Sequence, residues 1–215
     1  MSLEPQLRAG VAELGLELDD GQISQLLQYQ ALLDKWGKVY NLTAVRDAAE
    51  MLTHHLLDSL AVVAPLRRQT RSAAVRLLDV GSGAGLPGVV IAICCPEMRV
   101  DCLDAVAKKA AFVQQAAGTL RLPNLRGVHG RVEQVRDPYE VVSSRAFASL
   151  VDFVTGSRAA LAPSGIWLAM KGKQPDAEIA ALPQDVAVFH VEQVRVPGLD
   201  AERCIVWMRP GPAER

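Results

Sequence analysis

Residues 79–88, DVGSGAGLPG, combine the residue types that suit the binding of a small ligand. Gly81, Gly83 and Gly85 alternate directly after a short apolar segment. Glycine lets the chain turn sharply and lets the backbone approach a ligand that a side chain would exclude. Pro87 suits the first turn of a helix. The pattern therefore predicts a strand, a ligand-binding loop and a helix in succession.

Two classes of ligand are compatible with this loop. Residues 83–88 match the GxGxxG spacing of dinucleotide-binding enzymes, but a single match of this kind is weak. In that frame the first glycine should end the strand, and here Gly81 does so instead. The spacing DxGxGxG over residues 79–85 fits better and is typical of enzymes that use S-adenosylmethionine. A tight turn without a ligand is the third alternative, although each glycine costs entropy on folding.

A carboxylate follows the loop at the spacing that a nucleoside ligand requires. Asp104 lies 23 residues after Gly81 and ends the apolar segment 100–103. An acid about 20 residues after the loop can accept hydrogen bonds from both ribose hydroxyls. Capping of the helix that opens near Lys108 is a second role, compatible with the first. Glu133, after the next strand, is a candidate acceptor for an adenine amino group.

The sequence around these residues predicts an α/β fold. Residues 1–66 show apolar residues at helical spacing, with N-caps at Asp19 or Asp20 and at Asp47 and a break at Asn41 and Thr43. Further on, strands alternate with helices, which is typical of a parallel sheet covered on both faces. The predicted strands are 75–80, 100–103, 125–128, 140–143, 166–170, 186–196 and 204–208, and the predicted helices between them are 87–94, 108–120 and 150–161.

The last two predicted strands break this alternation. They flank a turn at residues 197–200, so we expect a hairpin that closes the sheet with one strand antiparallel. The predicted sheet is therefore mostly parallel and seven-stranded. We expect two units, an N-terminal helical extension at 1–66 and a Rossmann-like domain at 67–215.

Composition excludes several classes of protein. Of the 215 residues, 50% are hydrophobic and 22% are charged, which supports a core and excludes wholesale disorder. No apolar run reaches the ~18–20 residues of a membrane span, and no secretory signal opens the sequence. The cysteines lie among apolar residues without a CxxC pair, which favours buried, reduced thiols in a cytoplasmic protein over a metal site or disulfides. They are Cys94, Cys95, Cys102 and Cys204.

Charge is unevenly distributed along the chain, although the net charge is −1. Residues 1–60 carry −5, residues 61–175 carry +7 and residues 176–215 carry −3. This asymmetry favours an anionic partner for the central region, and ordinary solvated surface is the alternative. The basic residues that could line an RNA-facing rim are Arg67, Arg68, Arg71, Arg76, Lys108, Lys109, Arg121, Arg126, Arg131, Lys171 and Lys173.

Over nearly its whole length the chain resembles the family of ribosomal RNA small subunit methyltransferase G, also called the glucose-inhibited division protein B (GidB) family. The resemblance rests on residues 36–44 (WGKVYNLTA), 54–60 (HHLLDSL), 79–88, 144–148 (SRAFA) and 170–173 (MKGK). It implies a class I S-adenosylmethionine-dependent methyltransferase fold and transfer of a methyl group to N7 of one guanosine in 16S ribosomal RNA. It also implies a partner, the 16S RNA or the small ribosomal subunit, and we expect a cytoplasmic monomer without a metal.

The resemblance further implies which residues contact S-adenosylmethionine. Ala105 stands where the family pattern leads us to expect a serine, which could cost a hydroxyl contact, and Glu140 stands where an aspartate often opens the fourth strand. Together with Gly83 from the loop, the expected cofactor-binding residues are Gly81, Leu86, Asp104, Ala105, Val106, Val132, Glu133 and Arg145.

The chemistry of guanine N7 limits the roles to be filled. N7 already presents an in-plane lone pair, so no general base is required and none is assigned. Arg145, after the fourth strand, is expected to position the reactants, because its planar fork can hold a carboxylate or a phosphate. His54 and His55 are assigned to a packed helix face, and core packing is favoured over base stacking for Phe147.

Three other functions are compatible with parts of the sequence. A non-enzymatic nucleotide- or RNA-binding module would need the glycine loop without a route for methyl transfer. An NAD-binding Rossmann enzyme would use the weaker GxGxxG frame. A small-molecule methyltransferase would leave the basic central region unexplained.

Overall fold

The computed structural model describes residues 3–40, 45, 47–71, 74–145, 147 and 149–211. The N-terminal part is helical, as predicted. Its helices are α1 (Glu4–Glu13), α2 (Asp20–Tyr40), α3 (Ala48–Met51), α4 (Asp58–Leu60) and α5 (Val63–Thr70), with a π-helical segment (Leu52–Leu57) between α3 and α4.

Both predicted N-caps of this helical part are confirmed. The backbone N–H of Gln22 donates to Asp19 Oδ1 at 2.8 Å, and the N–H of Asp19 donates to Gln22 Oε1 at 3.1 Å. This reciprocal pair satisfies two of the N–H groups left open at a helix start. Asp47 accepts from the N–H groups of Ala49 and Glu50. The break predicted at Asn41 and Thr43 lies outside the described residues.

A seven-stranded sheet forms the rest of the fold and confirms the predicted α/β class. Its strands follow the order β3-β2-β1-β4-β5-β7-β6, and β7 is antiparallel to both of its neighbours, as the predicted hairpin requires. The strands are β1 (Arg76–Val80), β2 (Arg99–Asp104), β3 (Leu125–His129), β4 (Tyr139–Arg145), β5 (Leu161–Lys171), β6 (Val186–Gln193) and β7 (Cys204–Pro210). The helices that follow β1, β2, β4 and β5 are α6 (Gly88–Cys94), α7 (Ala107–Leu120), α8 (Leu150–Ser157) and α9 (Asp176–Ala180).

Three predicted boundaries differ from the observed ones by more than two residues. The strand predicted from residue 166 begins at Leu161. The helix predicted through Leu161 ends at Ser157, because a 3₁₀ turn (Arg158–Ala160) leads directly into β5, where Leu161 pairs with Tyr139. The first strand of the hairpin ends at Gln193 and not at residue 196, because its register with β7 begins at Cys204. All four cysteines are buried and free, as predicted.

Parallel strands give the sheet two distinct edges. At the carboxyl edge β1, β2, β3, β4 and β5 end, and the loops that follow them lie next to one another. At the amino edge these strands begin, and helices α5, α6 and α7 end. A residue at the start of β1 therefore lies at the amino edge, whereas the glycine loop follows the end of β1 at the carboxyl edge.

The N-terminal helices share one hydrophobic core with the sheet. Buried side chains of α2 and of the π-helical segment, including Leu26 and Leu56, belong to the same cluster as Val89 of α6 and Phe112 of α7. A second cluster fills the other face of the sheet under α8. The boundary predicted at residue 66 falls within α5, and the division into two units stays a prediction.

Candidate functional site

The glycine loop lies at the carboxyl edge, between β1 and α6. Gly81, Gly83 and Gly85 all have positive φ angles, of 65°, 60° and 91°. This left-handed backbone is costly for residues with a Cβ, which explains the glycines. A Cβ built at Gly81 or Gly83 would meet nothing within 4 Å, whereas one at Gly85 would collide with Val89. The loop therefore has an open side at Gly81 and Gly83, where a ligand can lie against the backbone.

The buried side chain of Asp79 connects the glycine loop to the neighbouring strand β4. Its side chain is fully buried, and it accepts hydrogen bonds from the N–H of Gly88 and from the Ser143 hydroxyl, each at 2.9 Å. Burial raises the pKa of the Asp79 carboxyl to about 6, although both hydrogen bonds oppose the shift. Asp79 thus fixes the start of α6 against β1 and β4 and does not face the open side of the loop.

Helix α2 supports the loop from the other side. The Tyr29 hydroxyl, which is fully buried, donates to the backbone carbonyl of Ala84 at 2.6 Å. Sequence reasoning assigned no role to Tyr29, because it reads as one more apolar position in a helix. The contact means that the N-terminal helices help to set the conformation of the glycine loop.

Asp104 joins the loops that follow three neighbouring strands. Its Oδ2 accepts from the N–H of Gly83 at 2.9 Å, its Oδ1 accepts from the N–H of Val106 at 2.8 Å, and its backbone carbonyl accepts from Gly130. Lys109 Nζ lies 4.0 Å from Oδ2. Helix α7 starts at Ala107 with Val106 as its N-cap residue, so the helix-capping alternative for Asp104 is wrong. Each carboxylate oxygen has a second acceptor site, which leaves capacity for a ligand hydroxyl.

The other predicted cofactor positions surround these loops. Ala105 and Val106 are exposed, and Val106 is 40% exposed although it is apolar. Leu86 and Val132 are buried, so their side chains pack in the protein, and Glu133 is exposed on a 3₁₀ turn after β3. The geometry thus gathers the predicted residues at adjacent strand ends, and their contacts with a cofactor stay a prediction.

A cavity of about 490 Å³ lies next to the end of β4. Arg145 Nη1 donates to Asp58 Oδ2 at 3.1 Å, and Arg203 Nε donates to Asp58 Oδ1 at 2.7 Å. Asp58 itself is only 4% exposed. The cavity is lined by Val45, His54, His55, Asp58, Arg145, Met170, Lys171, Gly172 and Arg203.

The sequence predicted that His54 and His55 pack against the main domain, but in the structure both side chains line the cavity. The π-helical segment packs through Leu52, Leu56 and Leu57, which are buried, while His54 and His55 line the cavity. Burial lowers the pKa of the His55 imidazole, and the Arg145 guanidinium lowers it further, so the ring is neutral at neutral pH.

Lys171 lines the cavity and contacts the backbone of Phe147. Lys171 Nζ lies 2.8 Å from Glu178 Oε2 and 3.5 Å from the carbonyl of Phe147, and Glu178 also accepts from the N–H of Leu150. The Phe147 ring packs against Phe153 with centroids 5.6 Å apart, which favours the core role over base stacking.

The structure does not bring the predicted basic rim together on one edge. Arg67 donates to the Cys94 carbonyl at 2.6 Å, at the end of α6, and Arg68 pairs with Glu192. Arg71 follows α5 and Arg76 starts β1, so the arginine run extends to the amino edge. Arg121 and Arg126 follow at the end of α7 and the start of β3 on this edge. The predicted basic residues at the carboxyl edge are Lys108, Lys109, Arg131, Lys171 and Lys173.

Sequence reasoning missed Asp58 and Arg203. Asp58 is the one acid in residues 51–63 and lies between the apolar residues Leu57 and Leu60, which is a usable signal, because a buried carboxylate requires a partner. Arg203 has no comparable signal. It lies 145 residues from Asp58 and carries no motif of its own.

Comparison with known proteins settles the family. A family model described as rRNA small subunit methyltransferase G (GidB) matches residues 22–206. The chain belongs to this family. "Ribosomal RNA small subunit methyltransferase G" of Acidovorax ebreus (strain TPSY) is 67% identical over 97% of this chain and 96% of its own length.

Three of the five stretches that resemble the family contribute residues to the lining of the cavity. Residues 54–60 contribute His54, His55 and Asp58, residues 144–148 contribute Arg145, and residues 170–173 contribute Lys171. Residues 41–44 of the first stretch, and Ala146 and Ala148, lie outside the described residues.

Solved structures share the fold at low sequence identity. TrmN from Thermus thermophilus superposes with a TM-score of 0.56 at 18% identity, over 74% of this chain and 53% of that chain. A SAM-dependent methyltransferase from Aquifex aeolicus gives 0.53 at 15% identity, over 70% and 92%. These likenesses confirm the predicted fold class.

The described residues contain neither a membrane-spanning helix nor a cluster of metal-ligating side chains. None of the described helices is both long and apolar enough to cross a membrane. No group of three or more His, Cys, Asp or Glu side chains that could hold a metal ion occurs in the described part of the chain.

Proposed function

We propose that this protein transfers a methyl group from S-adenosylmethionine to N7 of a specific guanosine in 16S ribosomal RNA. The observation that carries the proposal is the junction of the open glycine loop with Asp104 at the carboxyl edge, in a chain of the GidB family. The protein would act as a cytoplasmic monomer on the 16S RNA or on the small ribosomal subunit. An NAD-binding enzyme is disfavoured, because Gly85 is packed against Val89 and offers no room for a pyrophosphate.

The loops at the carboxyl edge have the donor and acceptor groups that S-adenosylmethionine needs. The open backbone at Gly81 and Gly83 would contact the amino-acid portion of the cofactor. Asp104 would accept hydrogen bonds from the ribose hydroxyls of the cofactor. Ala105, Val106, Val132 and Glu133 would surround the adenine, with Leu86 packed behind the loop. When bound, the cofactor supplies a methyl group activated by the sulfonium charge.

The residues of this chain would then contribute orientation and not proton transfer. Guanine N7 attacks with its own lone pair, so no side chain has to remove a proton from that nitrogen. Holding N7 in line with the methyl group can supply ~7–11 kcal/mol of the barrier reduction. Arg145 is the proposed positioning group, because it lines the cavity and ends β4, the strand that pairs with β1 ahead of the glycine loop.

The anionic substrate fits the charge of the carboxyl edge. Lys108, Lys109, Arg131 and Lys173 follow strand ends there, and Lys108 and Lys173 are exposed. Such residues neutralise RNA phosphates and release counterions. The arginine run (Arg67, Arg68 and Arg71), which the sequence offered as RNA contacts, approaches the other edge, and this favours the alternative of ordinary solvated surface for these residues.

The test is methyl transfer from labelled S-adenosylmethionine to naked 16S RNA, to small subunits and to free guanosine. N7-methylguanosine is then located by chemical cleavage of the RNA chain at the modified base. We expect label in the RNA at one guanosine and none in free guanosine. Label at another atom, or in the free nucleoside alone, would refute the proposal. Calorimetric binding of S-adenosylmethionine without any transfer would support the non-enzymatic binding module.

A further inference from the structure

Asp58 connects three parts of the chain that are distant in sequence. It starts α4 in the N-terminal helical part, whereas Arg145 ends β4 and Arg203 precedes β7. The two ion pairs span 87 and 145 residues. The Asp58 side chain is only 6% exposed, so its charge is compensated by these two guanidinium groups and not by water.

The cluster of Asp58, Arg145 and Arg203 has an excess of positive charge. One carboxylate faces two guanidinium groups, while Lys171, which lines the same cavity, is paired with Glu178. The arginine side chains are 22% and 25% exposed, so both are accessible from the cavity.

Both arginines retain donors for a ligand. Among the described residues, Arg145 donates only through Nη1, and Arg203 only through Nε and Nη1. The Nη2 group of each is therefore available. Two guanidinium groups that are held in place by one carboxylate form a preorganised site for an oxyanion, because a planar guanidinium can bind two phosphate oxygens at once.

We propose that Asp58 is a positioning residue, which orients Arg145 and Arg203 so that the pair binds a phosphate of the RNA backbone next to the target guanosine. The proposal rests on the proposed methyl transfer and deepens it, since it assigns a residue of the N-terminal helices to the reacting centre. Arg203 thereby becomes an RNA-binding residue.

The chain offers a matched control for Asp58. Asp101 is also a buried aspartate bound to an arginine, Arg126, but it lies towards the amino edge. We measure single-turnover methyl transfer at saturating RNA and S-adenosylmethionine, together with RNA affinity. Asp58→Asn should lower the rate at least 10-fold, with partial rescue by Asp58→Glu, which keeps the charge. Asp101→Asn should stay within twofold of the wild type.

A second arm tests the phosphate contact. Arg203→Gln keeps an amide donor for Asp58 but removes the positive charge, and it should flatten the salt dependence of RNA binding by about one unit. Arg209→Gln, the control, removes the same charge from the other end of the β7 strand and should leave the slope unchanged.

Each outcome decides the proposal. A wild-type rate for Asp58→Asn, or equal losses in Asp58→Asn and Asp101→Asn that follow the folded fraction, would overturn it. If Asp58→Asn does not fold, the slope of Arg203→Gln decides, and an unchanged slope overturns the proposal. If the unmodified protein transfers no methyl group, the proposed function fails instead, and the Arg203→Gln slope still reports on the phosphate site.

Discussion

The two edges of the sheet both contain a buried aspartate that holds an arginine, but the surroundings differ. At the amino edge both carboxylate oxygens of Asp101 accept hydrogen bonds from the Arg126 guanidinium, with N–O distances of 2.6 and 2.7 Å. Asp101 also accepts a hydrogen bond from the Tyr139 hydroxyl. These three hydrogen bonds come from two partners, and the single arginine balances the charge of the carboxylate. Both clusters line cavities, but at the carboxyl edge one carboxylate, Asp58, faces two arginines, Arg145 and Arg203, so positive charge is in excess there. The same pair of residue types therefore stabilises the fold at one edge and prepares a binding site at the other.

The largest predicted difference concerns how pH affects stability through Asp79, below the glycine loop, and through Asp101. Burial raises the Asp79 pKa from 3.8 to about 6, so folding favours its protonated form. The wild type should lose about 3 kcal/mol of unfolding free energy relative to Asp79→Asn as pH rises from about 4 to above 6. Chemical denaturation of both proteins across this range measures the difference.

Asp101 should show the opposite sign. Burial alone would raise its pKa, but the hydrogen bonds from Arg126 and Tyr139 outweigh burial and lower it. The ionised Asp101 therefore stabilises the folded protein above the usual pKa of an aspartate, and this stabilisation is lost as pH falls from there through the lowered pKa of the folded state. The difference between wild type and Asp101→Asn should therefore be constant above about pH 5. A parallel pH dependence for the two variants would contradict the different environments assigned here.

The next prediction separates two effects of replacing a loop glycine, which are the loss of contact with the cofactor and the strain of a positive φ angle. Gly83→Ala places a Cβ in the open space of the loop and should lower S-adenosylmethionine affinity more than 100-fold, about 2.7 kcal/mol. Gly15→Ala is the matched control, since Gly15 has a similar φ of 65° and open space, but lies after α1. Both changes should cost ~1–2 kcal/mol of stability. Calorimetry showing equal affinities in the two variants would place the cofactor elsewhere.

A smaller loss is expected at the end of β2. Asp104→Asn should weaken S-adenosylmethionine binding by about 2 kcal/mol, or about 30-fold, because a charged acceptor is replaced by a neutral one. Asp101→Asn changes the same residue type on the same strand and should leave the affinity unchanged. Titration calorimetry at neutral pH compares them, and matching affinities would remove Asp104 from the cofactor site.

Local sequence patterns predicted much of this architecture. The glycine loop, Asp104 at the next strand end and the Asp19 and Asp47 caps each depend on residues close together in the chain, and the structure contains all of them. The arrangement of the N-terminal helices against the glycine loop was not predictable, because the Tyr29 contact with Ala84 depends on tertiary packing.

Charge clusters in the sequence were the least informative signal. Arg67 and Arg68 are neighbours in the chain, yet one donates to a helix carbonyl and the other pairs with an edge strand. A count of basic residues does not show which edge of a sheet they reach. The Asp58–Arg203 pair escaped prediction for the same reason, since no local pattern links residues so far apart.

The smallest predicted effect compares exposed cations at the two edges. The double variant Lys108→Gln/Lys173→Gln should flatten the salt dependence of RNA binding by about two units. Arg68→Gln/Arg71→Gln removes the same charge and should leave the slope within about half a unit, because these residues approach the amino edge. Filter binding across a salt series gives both slopes. A larger change in the arginine variant would mean that the arginine run binds RNA.

The most direct test of the functional difference between the edges uses the arginines that the two buried aspartates hold. Single-turnover methyl transfer at saturating 16S RNA and S-adenosylmethionine is measured for Arg145→Ala and Arg126→Ala, with RNA affinity measured in parallel. We predict that Arg145→Ala lowers the transfer rate at least 10-fold and more than it lowers RNA affinity, while Arg126→Ala lowers only stability. Equal losses of rate and RNA affinity in Arg145→Ala would mean that Arg145 only binds RNA and does not position the reactants. A wild-type rate for Arg145→Ala, or a comparable loss of rate in Arg126→Ala, would contradict the assignment of the reaction to the carboxyl edge.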